Sequence, residues 1–239
     1  MQSTWAGPVG WSRVTVRGRG ETSFRARVYY PALSARYRAP LNTNRGPLPA
    51  VSFGHGFLSL PSFYSQMLRR LADRGYIVIA TASAFSLWPN HQEYAADLNR
   101  CLQFLVDESR REESLFHGAV NTRALGLWGH SMGGGAAILA AEQNPRVGAV
   151  AALTPSQLYP SPSLAIANLG IPILIVTGTR DRVTPAHLHA RPMFRAANAP
   201  CLMATLHGGG HLGFLDYPLA YFFRERVKLK PARQRRLGR

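Results

Sequence analysis

The 239-residue sequence predicts an α/β protein: a three-layer sandwich with a mostly parallel central sheet, an antiparallel entrance at the N-terminus and no large lid domain. Three observations carry that prediction. From Ala50 onward, short apolar runs alternate with segments of helical periodicity. Ahead of them, two β-rich runs flank Gly18-Arg19-Gly20. Finally, Gly129-His130-Ser131-Met132-Gly133 stands between an apolar run and an alanine-rich stretch, the order strand, sharp turn, helix.

The elements follow in chain order. Trp11 to Val16 and Phe24 to Tyr30 are the entrance strands, with Val14 and Val16, then Val28 and Tyr30, at period two, and Pro31 ends the second. The Pro-, Asn- and Gly-rich stretch from Ala39 to Pro49 is a loop. Strands are expected at Ala50 to Phe53, Tyr76 to Thr81, Ala124 to Trp128, Val147 to Leu153, Ile171 to Thr177 and Cys201 to Leu206. Helices are expected at Ser62 to Asp73, where Phe63, Met67, Leu68 and Leu71 share a face, at Gln92 to Glu108, and at Gly134 to Gln143. No repeat or internal linker interrupts residues 1–227, which read as one domain, and residues 228–239 read as a frayed basic tail.

Composition narrows the function classes. With 46% apolar residues the chain can build a substantial core, so disordered and fibrous classes are excluded. No window approaches the roughly 18 apolar residues that cross a bilayer. The N-terminal residues lack the regions of a signal peptide, so a cytoplasmic location is expected if Met1 is native and a secreted one if a leader has been removed; the compartment stays open. Lys and Arg outnumber Asp and Glu 28 to 12, a net charge of +16 that can draw the protein to anionic surfaces. No zinc-finger spacing, aromatic RNA-binding signature or groove-reading element accompanies that charge, so nucleic acid is not expected as the main partner. Cys101 and Cys201 are the two cysteines, expected as buried free thiols. His187 and His189 lack a strong metal-ligand spacing and are expected to face solvent, and no metal is expected.

A serine hydroxyl is a poor nucleophile at neutral pH and needs a histidine base and a carboxylate to orient it. Ile173 to Thr177 leads into a loop tipped by Asp181, and Cys201 to Leu206 leads into His207-Gly208-Gly209-Gly210-His211. Ser131, Asp181 and His211 are therefore the expected catalytic residues, with Asp216 and His207 as the alternatives for acid and base. Charge developing on a carbonyl oxygen needs donors. The backbone N–H of Met132, just after the serine, and that of Phe57, in Gly54-His55-Gly56-Phe57, are assigned to it, and His55 is read as orienting that loop. Phe57, Met132, Trp88 and Tyr159 are the candidate substrate-binding side chains, from a wider set of aromatics that includes Phe63, Tyr64, Phe85 and Phe214.

The block Gly54-His55-Gly56-Phe57, Ser62-Phe63-Tyr64 and Leu71 to Ala80, followed by Gly129-His130-Ser131-Met132-Gly133-Gly134-Gly135, resembles the branch of α/β-hydrolases that holds bacterial cutinases and polyester hydrolases, with chlorophyllases and dienelactone-hydrolase-like proteins nearby. The resemblance spans roughly residues 8–225. It implies an α/β-hydrolase sandwich and a lidless serine esterase with an open, aromatic-edged groove and no organic cofactor. Such an enzyme forms an acyl-enzyme on short- to medium-chain or aromatic polyesters such as poly(ethylene terephthalate). Two features depart from the branch. The tryptophan expected after the strand that follows the nucleophile helix is absent from Ala152 to Tyr159, and no cysteine follows Cys201 to form the usual C-terminal disulfide. Two other readings stay open: a chlorophyllase-like esterase for bulky tetrapyrrole esters, although Met132 stands where that group usually carries arginine, and a non-catalytic binding protein on the same scaffold. The expected partner is a small or polymeric ester, and a monomer is favoured.

Overall fold

The computed structural model describes residues 7–42, 44, 46–216 and 234. Strands β1 (Val9–Arg17), β2 (Ser23–Pro31), β3 (Leu48–Gly54), β4 (Ile77–Thr81), β5 (Val120–His130), β6 (Val147–Leu153), β7 (Ile173–Gly178) and β8 (Cys201–Leu206) form one sheet, ordered β1-β2-β4-β3-β5-β6-β7-β8. β1 pairs antiparallel with β2, and β2 antiparallel with β4. Every other pairing is parallel. This is the α/β-hydrolase architecture that the sequence predicts.

Helices α1 (Ser65–Ala72), α2 (His91–Arg110), α3 (Met132–Glu142), α4 (Pro162–Ala167) and α5 (Ala190–Ala196) complete the layers, and a 3₁₀ turn at Pro61–Tyr64 leads into α1. α2 and α3 pack together over β3 to β6, while α1 packs on β2 and β4. β4 shows how one strand serves both faces. Ile77 and Ile79 join the core under α2 and α3, and Val78 and Ala80 join the one under α1. Period-two alternation buries every residue of a central parallel strand in this way. α3 is buried from Met132 to Ala141, as a helix apolar on all sides must be. α2 starts at Asn90, whose side chain accepts the Glu93 N–H at 3.0 Å, a cap that satisfies one of the helix's orphan donors.

β6 and β8 coincide with their expected spans, and β5 extends four residues before and two beyond its own. The sequence reading did not anticipate α4 and α5, six and seven residues long, because segments that short carry too little periodicity to register. Both cysteines are free, Cys101 buried and Cys201 half-buried. The expected tail at 228–239 lies outside the described residues except for Gln234. That residue is wholly buried and pairs with the N–H and C=O of Gly210.

The strand order positions the chemistry. The chain steps from β3 to β4 in one direction and then returns past β3 to place β5 on the other side. At such a reversal the connections leave in opposite directions and open a crevice beyond the carboxyl ends of the strands. Gly54 ends β3 and lies opposite Gly129 in β5, so the Gly54–Phe57 loop and Ser131 emerge side by side.

Candidate active site

Ser131 is the single residue between β5 and α3, and it adopts φ 57° and ψ −120°. A non-glycine residue held there is strained, and surrounding packing must hold it in place. Its neighbours show how. A Cβ at Gly129 would collide with the backbone of Gly133, and a Cβ at Gly133 with the backbone of Gly54, so only glycine lets β5, α3 and β3 meet this closely. The Ser131 carbonyl accepts the N–H groups of Gly134 and Gly135, which starts the helix, and that of Ser156, which ties in the segment after β6.

The structure brings Ser131, His211 and Asp181 together from three separate loops. His211 Nε2 lies 2.9 Å from Ser131 Oγ, and His211 Nδ1 lies 2.8 Å from Asp181 Oδ2. All three are nearly buried, at 6%, 3% and 6% exposure. Because a carboxylate accepts, Nδ1 carries the proton and Nε2 presents its lone pair to the serine. Asp181 Oδ1 meanwhile accepts the N–H groups of Val183 and Thr184 at 2.9 and 2.8 Å. Burial by itself would raise the pKa of Asp181. The hydrogen bonds from His211 and Thr184 outweigh it and hold the carboxyl below its ordinary range.

Thr184 is a site residue that the sequence reading missed. Its hydroxyl is 2.9 Å from Asp181 Oδ2, 3.0 Å from His211 Nδ1 and 3.0 Å from the Thr154 carbonyl. The available signal was Asp181 followed three residues later by Thr184, a spacing at which aspartate closes a local turn on backbone N–H groups. Ser156 was also missed: its Oγ lies 3.5 Å from Ser131 Oγ, in the stretch where the expected tryptophan is absent.

The alternatives fall elsewhere. His207 is exposed, and Asp216 accepts the Gln66 N–H while its own N–H donates to the Phe63 carbonyl, which fastens the start of α1. His55 is buried between the carbonyls of Gly56 and Ser83, at 2.8 and 2.9 Å, and burial lowers its pKa. A neutral ring has one N–H, so it donates to one of these carbonyls at a time and stays a fastener of the loop. His187 is exposed as expected. His189 is not: it is half-buried, and its Nδ1 accepts the Gln157 N–H at 2.9 Å.

Among the described residues no acceptor takes the N–H of Phe57 or of Met132. The Phe57 side chain is 48% exposed beside them, but Met132 is 3% exposed within the core, with little surface left for a substrate. Trp88 and Tyr159 project into solvent at 90% and 89% exposure, and Phe85 is exposed too. Tyr64 and Phe214 are wholly buried beneath the site. An apolar cavity of about 640 Å³ is lined by residues of β3 and β5 to β8, including Trp128, Leu174 and Leu202, and by neither Ser131 nor His211. The candidate site is edged by the exposed Phe57.

Comparison with known proteins matches residues 9–212 to the family described as PET hydrolase-like. Cutinase 1 of Thermobifida cellulosilytica is 26% identical over 203 residues, covering 85% of this chain and 69% of the relative. Cutinase est2 of Thermobifida alba is 26% identical over 183 residues, 77% of this chain and 55% of the relative. A bis(hydroxyethyl) terephthalate hydrolase of Streptomyces coelicolor is 29% identical over 155 residues, 65% of this chain and 47% of the relative. With the sheet order, the strained serine at the β5–α3 junction and a family match over most of its length, the chain belongs to the PET hydrolase-like family of ester hydrolases.

Proposed function

We propose that the protein is a serine carboxylic ester hydrolase, cutinase-like, that works through an acyl-enzyme on short- to medium-chain or aromatic polyesters. The observation that carries this reading is the unbroken chain from Ser131 Oγ to His211 Nε2, at 2.9 Å, and from His211 Nδ1 to Asp181 Oδ2, at 2.8 Å. Ser131 Oγ attacks the ester carbonyl carbon while His211 Nε2 takes its proton. Asp181 keeps the other ring proton on Nδ1 and stabilises the imidazolium. The N–H groups of Phe57 and Met132 receive the charge on the carbonyl oxygen. His211 then protonates the departing alkoxide, leaving the acyl group on Ser131. A water molecule, deprotonated by the same nitrogen, releases the acid and restores the serine.

The exposed Phe57 and the small Ser156 beside the nucleophile support a substrate that reaches the serine from a bulky chain. The test is labelling by a fluorophosphonate probe followed by peptide mapping. Stoichiometric modification of Ser131 is expected, and an unlabelled Ser131 in folded protein would overturn the reading. A panel running from acetate to long-chain esters, with polyester film and a chlorophyll ester, then ranks substrates. Film and short esters are expected ahead of the pigment.

A further inference from the structure

His130, next to the nucleophile, never reaches the substrate side of Ser131. It is 2% exposed, and both ring nitrogens are engaged: Nδ1 lies 2.9 Å from Tyr64 Oη, and Nε2 lies 3.0 Å from the backbone carbonyl of His211. Tyr64, wholly buried, also accepts the N–H of Gly56 at 3.0 Å. The direction of each bond follows from proton counting. The His211 carbonyl can only accept, so Nε2 of His130 carries the proton. Burial, followed by the nearby His211, pushes the pKa of His130 down to about 3, so the ring is neutral and its Nδ1 is bare. Nδ1 must then accept from the Tyr64 hydroxyl, whose oxygen is left to accept from Gly56. Only one arrangement satisfies all three contacts.

We infer that Tyr64 and His130 are positioning residues: a one-way relay from Gly56 N–H through Tyr64 Oη–H and His130 Nε2–H to the His211 carbonyl. This relay fastens the loop that carries the Phe57 N–H to the loop that carries the base. The inference rests on the hydrolase reading above. Gly56 immediately precedes Phe57, and a Cβ at Gly56 would meet Tyr64 Oη, His130 Nδ1 and Ser131 Cβ within 3.4 Å, so the loop sits directly on the relay. The His130 ring is also packed on those of His211 and Phe214, with centroids 4.8 and 5.5 Å apart. The relay therefore sets the spacing between two parts of the machinery that no strand connects. Neither side chain takes part in proton transfer with the substrate.

The experiment is a double-mutant cycle on the whole chain with a soluble p-nitrophenyl ester. Tyr64→Phe keeps the ring and removes the hydroxyl. It is expected to lower kcat about 10- to 100-fold, the scale of a misplacement near 1 Å, with KM within about twofold. His130→Asn keeps an acceptor for Tyr64 but loses the donor to His211, and a loss of similar size is expected. Since both changes break one chain, the double variant should fall no more than about threefold below the poorer single variant. An unchanged kcat in Tyr64→Phe, or losses that multiply, would overturn the relay. The ¹⁵N resonances of His130 in the resting protein supply a readout without turnover: a protonated Nε2 and a bare, hydrogen-bonded Nδ1 are expected, and the reverse tautomer overturns the relay. Ser131→Ala leaves all three bonds in place, so full activity in that variant would sink the hydrolase reading while the resonances still judge the relay.

Discussion

At the carboxyl ends of β5, β7 and β8 the chain buries Ser131, Asp181, Thr184, His130 and His211, and each finds a polar partner. On the face of the same sheet, Val51, Trp128, Leu174 and Leu202 help to line the 640 Å³ cavity, where nearly every lining side chain is apolar and Leu202 is 66% exposed. A large apolar pocket is the usual first guess for an active site. In this molecule the serine, histidine and aspartate proposed to react lie elsewhere, at the strand ends. Reactivity needs directed lone pairs and protons, and at the strand ends Ser131, His211 and Asp181 bring them within hydrogen-bond distance of one another. The cavity offers volume without direction.

The sharpest way to break this comparison is to remove the nucleophile. Ser131→Ala is expected to lower turnover of a short-chain p-nitrophenyl ester by at least ~10⁴-fold, the scale of losing a member of such a triad. Retention of most activity would return the apolar cavity to contention. Next come the two carboxylates. Asp181→Ala should cost about 10³- to 10⁴-fold in kcat, since the histidine loses its tautomer and its counter-charge. Asp216→Ala removes the acceptor for the Gln66 N–H and should stay within about tenfold. Parallel kinetics decide the acid, and an equal loss in both variants would unseat Asp181.

Much of this was legible in the sequence, but unevenly. A serine, a base and an acid are a chemical demand, the order Ser131, Asp181, His211 is the one this fold uses, and each residue follows an apolar strand that periodicity reveals. Thr184, Tyr64 and His130 were not assigned these roles, because their hydrogen bonds span 27, 66 and 81 positions and depend on which loops the sheet brings together. Tyr64 and Phe214 looked like members of an aromatic cleft, and composition alone cannot tell a ring beneath a site from one lining it. The sheet order is equally silent in the sequence. Alternation predicts parallel strands, but not that β4 lies outside β3.

The two regions should also differ in how pH affects them. The pKa of His130 is about 3 in the folded protein and about 6.5 in an unfolded chain. Between those values the unfolded state binds a proton that the native state refuses, so stability falls as pH falls from about 6.5 toward 3. The depressed Asp181 acts with the same sign but lower, below the ordinary carboxylate value of about 4. Thermal unfolding followed from pH 7 to 5 should therefore show a declining Tm, and in His130→Asn the decline should be smaller. His55, also held neutral by burial, leaves part of the decline in place. An unchanged slope in His130→Asn would mean that another group governs acid stability.

The smallest expected effect tests the other side of the comparison. Leu202→Ser places a hydroxyl on the wall of the apolar cavity, at a side chain already 66% exposed. Because that residue is exposed, little buried apolar area is lost, and stability should change by no more than about 0.5 kcal/mol. Because the cavity holds none of Ser131, Asp181 or His211, kcat and KM for a soluble ester should both stay within about twofold of the parent. A selective rise in KM would show that substrate reaches this face. The division between a polar end that reacts and an apolar face that does not would then have to be redrawn, with the groove continuing from the strand ends around the sheet.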